Sequence, residues 1–459
     1  MTSSRTTKLI DILPKPVLAV LINGLGAVYR ANRYTREMRR TLAEWKQIED
    51  LEAERFDAYQ LQRFRHIAAV AGKTPYYHRV FKEVGFDPHN IESLNDLKRL
   101  PIMGKADLVA NAADMMVPDF KGRLFKRHSS GTTGDPVAFY QPRQMAYAQG
   151  YAMLYQFYSW FGFAALEKRA TMAGRYIGHK PFGIVIRNLL ENQLLLGVHS
   201  LSAQSVKGYM RALERFRPKL FQAHPSALLM FKQFAEDAGI APPDIPLLSY
   251  TGENMSEDER RSLSRWMNGA VIFGTYGSGE NVTSSSECPK LNGFHIHPAV
   301  GICELVEING RSEIVGTSLL NDAMPLLRYR TGDVAEAITA ERCPCGCGWP
   351  RLLGIQGRAD DLVTSSDGKP IAPVVLRTGI AALGVLTLPY SIIQHRQPNE
   401  FTLLLYGGKA DVPVRSVEAV LNYLQLVLGN DCIFRVRFAP SEELFTARAK
   451  HRIVIKERG

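Results

Sequence analysis

No run of apolar residues in this chain is long enough to cross a bilayer. The most apolar segment, residues 16–29 (PVLAVLINGLGAVY), contains Asn23, Gly24 and Gly26 and falls short of the roughly 20 residues that a spanning helix needs. Nor is there a dense Lys/Arg tract with interleaved aromatics, which sets nucleic acid aside as a partner. No secretory leader is legible in the polar residues 1–7, so a cytoplasmic location is expected. Internal repeats and low-complexity tracts are missing too, which leaves an ordinary globular chain. Cysteine is scarce, at six residues. Three of them crowd at Cys343, Cys345 and Cys347, and in a reducing compartment such crowding points to metal rather than to disulfides.

Acids are outnumbered, 45 Asp and Glu against 56 Lys and Arg, and the net charge of +11 favours anionic partners: ATP, coenzyme A or an anionic membrane. Arg30, Arg33, Arg36, Arg39 and Arg40 follow the apolar stretch directly. Residues 16–40 therefore read either as a peripheral contact with the inner membrane face or as a helix packed on the body with a solvated basic side. With 459 residues, 46% of them apolar, the chain can build two or three domains with real cores.

What is present is a series of glycine turns. Ser129, Ser130, Gly131, Thr132, Thr133 and Gly134, followed by Asp135 and Pro136, gather hydroxyls and glycines into one short loop. Glycine lets backbone N–H groups turn inward and the hydroxyls add donors, a composition suited to wrapping a polyphosphate. The Walker pattern is not met, because two residues rather than four separate the glycines and no lysine follows. Further on come Tyr276-Gly277-Ser278-Gly279-Glu280, then Tyr329-Arg330-Thr331-Gly332-Asp333, then Gly357-Arg358-Ala359-Asp360-Asp361. Each is a turn that carries an acid.

This ordered set resembles the adenylate-forming superfamily, and within it the phenylacetate–CoA ligase branch with its capsular-polysaccharide ligase-like members. The resemblance runs from about Thr74 to about Lys450. It implies an α/β fold: a large layered α/β domain of the adenylate-forming type, followed by a small mobile α+β lid. The expected boundaries are a helical segment over residues 1–72, the large domain over 73–359 and the lid over 360–459. It also implies ATP-dependent activation of a carboxylic acid to an acyl-adenylate with release of pyrophosphate, then transfer to CoA. Other readings are transfer to an amine or carrier acceptor, and a nucleotide-binding scaffold at the membrane without chemistry.

By the same resemblance Glu280 would be linked to Mg2+, Asp333 would hold the ribose hydroxyls, and Arg358 would lie near ribose and phosphate. Asp360 would be the hinge. Tyr276 and Gly277 belong to the nucleotide turn, Gly252 and Glu253 to an adenine-side loop, and Gly368 to a turn beside the pantetheine tunnel. Lys450 would reach the α-phosphate during adenylation. Three departures stand out: Asp135 occupies a usual lysine position, Gly279 a usual serine position, and the lysine motif is degenerate, with Ala449 before Lys450. The acid itself is not legible. Tyr151, Tyr155, Phe157, Tyr158, Trp160 and Tyr176 would suit an aryl or other apolar acid and equally suit a core.

The cysteines make a separate case. Cys288 and His295 form one pair and Cys343 with Cys345 another, and thiolates with one imidazole suit a closed, structural Zn2+ site. Cys347 and His297 are rival ligands.

Overall fold

The computed structural model describes residues 10–49, 51, 53–128, 138–172, 177–178, 180, 182–358, 362–368, 370–371, 373–386, 388–397, 399–440, 443–444 and 452–457. They form two compact units. One comprises Gly24–Ala165 and Phe273–Ile355; the other comprises Thr2–Asn23, Leu166–Ile272 and Gln356–Gly459.

The part of the helical segment expected over residues 1–72 that lies in the first unit is made of separate helices. A helix Arg36–Lys46 starts where the Thr35 side chain accepts from the Met38 N–H, and a second helix covers Ala53–Ala71. The Thr35 hydroxyl satisfies one of the donors orphaned at a helix start, which is why the chain restarts there rather than running on. A third helix, Pro75–Val84, is capped by Thr74 and closed by Gly85 at φ 63°. These helices bury Phe64, Ile67, Tyr77 and Phe81 against Val282, Leu326 and Tyr329.

Four antiparallel ladders join Ala337–Thr339, Arg351–Leu353, Phe294–Ile296, Ser284–Glu287 and Val271–Gly277 in that order. A separate antiparallel sheet runs Gly301–Ile308, Arg311–Ser318 and Tyr329–Val334. Val282 is pressed between two of these strands: a Cβ on Gly301 would collide with its carbonyl, and one on Gly316 with its side chain. That close approach fixes the loop carrying Glu280.

In the second unit Leu247–Thr251, Leu220–Ala223, Arg169–Met172 and Gln193–Leu196 are consecutive parallel strands, with Val185–Asn188 antiparallel at the end. Helices Ala203–Phe216, Pro225–Asp237 and Glu257–Trp266 supply Tyr209, Phe231 and Leu263 to their core.

The end of the chain is α+β. Strands Ile433–Ala439, Glu400–Tyr406, Tyr390–Gln394 and Val454–Lys456 lie side by side, with helices Pro373–Leu383 and Val414–Leu428. Leu376, Ile380, Phe401, Leu403, Val420 and Leu424 share one core there. In chain order the helix Pro373–Leu383 comes first among these elements, followed by strand, strand, helix, strand and strand.

Candidate functional site

The hydroxyl- and glycine-rich loop that begins at Ser129 is flanked by a hairpin. Leu124–His128 and Ala138–Pro142 pair from Leu124↔Pro142 to His128↔Ala138, so the ladder reaches the residues on either side of the loop. Ser129, Ser130, Gly131, Thr132, Thr133 and Gly134 themselves lie outside the described residues, as do Asp360, Lys450 and Tyr176. Gln141, fully buried on the returning strand, donates from Nε2 to the Gly279 carbonyl at 3.3 Å. The hairpin is thereby tied to the turn that holds Glu280, a link that sequence motifs did not suggest.

Two of the motif turns meet. Tyr276, at the end of the strand Val271–Gly277, donates from its hydroxyl to Asp333 Oδ2 at 2.8 Å. Burial and the adjacent Asp333 charge push the Tyr276 phenol well above its ordinary range, so it stays a donor at any physiological pH. Asp333 is further oriented by its N–H, which donates to Thr331 Oγ1 at 3.1 Å, while Thr331 Oγ1 donates to the Ile314 carbonyl at 2.8 Å. Next to it Arg330 makes two short bonds, 2.5 and 2.6 Å, to the buried Glu313. A bidentate pair of this kind fixes the strand on which Asp333 rides.

Glu280 is 5% exposed, and among the described residues its contact is the Tyr329 hydroxyl at 3.5 Å. A carboxylate taken out of water with so little compensation is costly unless a cation joins it. The arrangement fits a metal-linked acid.

In the second unit Gly252 follows the strand Leu247–Thr251 with φ 78°, and Gly357 beside Arg358 has φ 98°. Glu253 accepts from the Ser226 N–H at 3.0 Å and from the Ser226 hydroxyl at 2.9 Å, at the start of the helix Pro225–Asp237. Carboxylates are stabilised at helix N-termini, so this acid holds the loop to the helix. Arg377, buried, bonds Glu259 at 2.6 and 2.9 Å, reaches Glu253 at 3.9 Å and donates to the Asn254 carbonyl. Burial disfavours its cation, but Glu259 and Glu253 outweigh that and hold its pKa above the ordinary arginine value. Nothing in the motif set pointed to Arg377. Gly368 sits in a turn at φ 84°, its N–H donating to the Ser365 carbonyl at 2.9 Å.

The cysteine–histidine set converges. Ligand atoms of Cys288, His295, Cys343 and Cys345 all lie within 4.8 Å of one another. A metal about 2.3 Å from each sulfur at the centre of a tetrahedron gives sulfur–sulfur edges of about 3.8 Å, and sulfur–nitrogen edges of about 3.6 Å. The Cys288–Cys343 sulfurs are 3.7 Å apart, and Cys345 Sγ is 3.5 Å from His295 Nε2. His295 Nδ1 faces the Trp349 carbonyl at 3.3 Å, which can only accept, so the proton belongs on Nδ1 and the lone pair of Nε2 points at the thiols. Burial lowers the His295 pKa to about 4, keeping the ring neutral, and raises the Cys345 thiol to about 12 before any cation is considered.

The rival ligands stand outside the converging set. His297 Nε2 bonds Gln156 Oε1 at 2.8 Å, and its Nδ1 accepts from the Ala299 N–H. Cys347 is outside the converging set, and its N–H donates to Cys345 Sγ at 3.4 Å. Rings surround the cluster: Trp160 lies 5.6 Å from both His295 and Trp349, and Trp349 donates to the Ile48 carbonyl at 2.8 Å. Of the aromatics open to two readings, Tyr155, Phe157 and Tyr158 are core, each 2% exposed or less. Tyr151 is half-buried under the Arg33 guanidinium, 4.4 Å from its ring centre.

No family model matches the chain. The phenylacetate–coenzyme A ligase of Thermus thermophilus is 26% identical over 381 residues, covering 76% of this chain and 81% of its own. Protein CapK of Staphylococcus aureus is 22% identical over 405 residues, covering 85% of this chain and 86% of its own. Among solved structures, 2-hydroxyisobutyryl-CoA ligase in the postadenylation state with 2-HIB-AMP superposes with a TM-score of 0.69 at 19% identity, over 90% of this chain and 92% of that one. The same ligase in the thioesterification state, with 2-HIB-AMP and CoA, gives a TM-score of 0.58 at 20% identity, over 90% and 92%. The resemblance drawn from the motifs is borne out by these matches, and the fold is that of the adenylate-forming CoA ligases.

Proposed function

We propose that this protein is an AMP-forming acid–thiol ligase. A carboxylate oxygen attacks the α-phosphorus of ATP, the bridge to the β-phosphate breaks and pyrophosphate leaves. The thiol sulfur of CoA then attacks the acyl carbon, its proton passes to solvent, and AMP leaves. The observation that carries this reading is the meeting of two motif turns: Tyr276 and Asp333, 57 residues apart, are hydrogen-bonded, and the scantily compensated Glu280 belongs to the same turn as Tyr276. The phenylacetate–coenzyme A ligase match supports the thiol acceptor.

Asp333, as an ionised carboxylate, can accept from the paired hydroxyls of a ribose while Tyr276 fixes its direction. The loop from Ser129 to Gly134 wraps the phosphates with backbone N–H groups and hydroxyls. Glu280 would hold Mg2+, which offsets phosphate charge when bound. Arg358 lies on the ribose and phosphate side, Gly252 with Glu253 shapes the adenine side, and Gly277 lets the nucleotide approach. Lys450 stabilises charge on the α-phosphate during the first step. Residues 360–459 act as a lid that turns about Asp360 for the second, with Gly368 beside the CoA thiol arm. Residues 73–359 then form the large domain and residues 1–72 a helical preface. Cys288, His295, Cys343 and Cys345 hold a structural Zn2+.

A second acceptor deserves a place because CapK matches over the larger share of both chains: an amine or carrier in polysaccharide or cofactor synthesis. One assay separates the acceptors. Acid- and ATP-dependent consumption of CoA thiol is expected. If acyl-hydroxamate forms with hydroxylamine while CoA is untouched, the adenylation stands and the thiol acceptor does not.

A further inference from the structure

The helix Lys15–Arg33 is apolar on both sides. Its inner face packs Leu18 and Ile22 on Ile177, Ile184, Ile186 and Leu195. Its outer face presents Val17, Val20, Leu21, Leu25 and Val28, exposed by 43 to 72%. No charged residue falls between Lys15 and Arg30. The polar exception, Asn23, is spent: its Nδ2 donates to the Ala19 and Arg187 carbonyls and its Oδ1 accepts from the Leu189 N–H. Leu189, itself 64% exposed, adds to the patch beside it. A surface helix of a globular protein keeps its outer face polar, and one that is apolar all round is a helix with something over it.

Charge decides what that is. From residue 12 to residue 36 there is no acid, whereas Lys15, Arg30, Arg33 and Arg36 bracket the apolar stretch. A second copy pairing through this face would bring cation against cation at the helix ends in either orientation, and the nearest acids, Asp11 and Glu37, lie beyond those ends. An anionic lipid headgroup layer relieves it, and its acyl boundary takes the valines and leucines. No described helix is long and apolar enough to cross a membrane, so the helix would lie in the interface plane.

We propose that the outer face of the helix Lys15–Arg33 docks this protein on anionic membrane surfaces. The inference is independent of the ligase reading. The test is pelleting of the full chain with vesicles of phosphatidylcholine alone and of phosphatidylcholine with phosphatidylglycerol. Binding is expected to the anionic vesicles, weakening as salt is raised. Val20→Glu, at the most exposed of these helix positions, should weaken it by about tenfold through lost apolar burial and added like charge. The double reversal Arg30→Glu with Arg36→Glu should weaken it at least as much. Melting temperatures are compared with wild type, and if Val20→Glu melts early the charge reversal decides. Equal binding to both vesicle types, no binding to either, or full binding by the charge reversal would overturn the proposal. So would a wild-type dimer that Val20→Glu splits while anionic vesicles stay unbound.

Discussion

The cysteine–histidine cluster and the acids Glu280 and Asp333 are built into the same unit, yet they dispose of their polar atoms in opposite ways. In the cluster four ligand atoms face one another from Cys288, the strand Phe294–Ile296 and the turn at Cys343 and Cys345, all within 4.8 Å, and the Cys288–Cys343 and Cys345–His295 distances match the edges of a metal tetrahedron. The acids are held one by one: Asp333 is aimed by Tyr276, and Glu280 is buried against the Tyr329 hydroxyl at 3.5 Å. A site that gathers all of its ligands belongs to the fold. One that orients separate acids awaits a substrate and its counter-ion.

If that contrast is right, changes on the first side should move stability and changes on the second should move turnover. The largest effect is expected from Cys343→Ser. Structural zinc in small domains contributes on the order of 10 kcal/mol. The variant should lose zinc by elemental analysis, together with much of its thermal stability. Unchanged zinc content and melting temperature would erase the distinction.

Next is Arg377→Met. Removing one member of a buried pair costs about 3–5 kcal/mol because the partner charge stays behind, here on Glu259 and Glu253. Denaturant unfolding should show a lower midpoint with little change in slope. A variant as stable as wild type would mean that the buried acids find other partners.

Lys450→Ala sharpens the other side. Removing one preorganised charge from a transition state costs about 10²- to 10³-fold. The adenylation rate should fall by that much while the melting temperature holds. A wild-type rate would remove Lys450 from the mechanism. The smallest effect is expected from Tyr276→Phe, which deletes a hydrogen bond to a carboxylate worth about 1.5–3 kcal/mol. The ATP KM should rise about tenfold or more, with zinc content unchanged.

Much of this was legible beforehand, for identifiable reasons. Strands Leu220–Ala223 and Glu400–Tyr406 announce themselves as short apolar runs, and the helix Val414–Leu428 by its periodicity. The cysteine–histidine set was readable because thiolates and imidazoles have few other uses at such spacing. The set preferred from the sequence, with His295 rather than His297, is the one whose ligand atoms converge, and Gln156, 141 residues away, engages His297. Arg377 was invisible because its partners Glu259 and Glu253 are more than 100 residues earlier. The break of the first helical stretch at Thr35 depends on one cap hydrogen bond that helical periodicity does not register. Tyr155, Phe157 and Tyr158 could have lined a pocket, and packing against Phe163 and His297 makes them core.

The most direct test of the account is carboxylate-dependent exchange of labelled pyrophosphate into ATP, over aryl, fatty and sugar-linked acids. Exchange is predicted with at least one class, is predicted to require Mg2+, and should collapse in Asp333→Ala and Lys450→Ala. Tight ATP binding without exchange across the whole panel would contradict it.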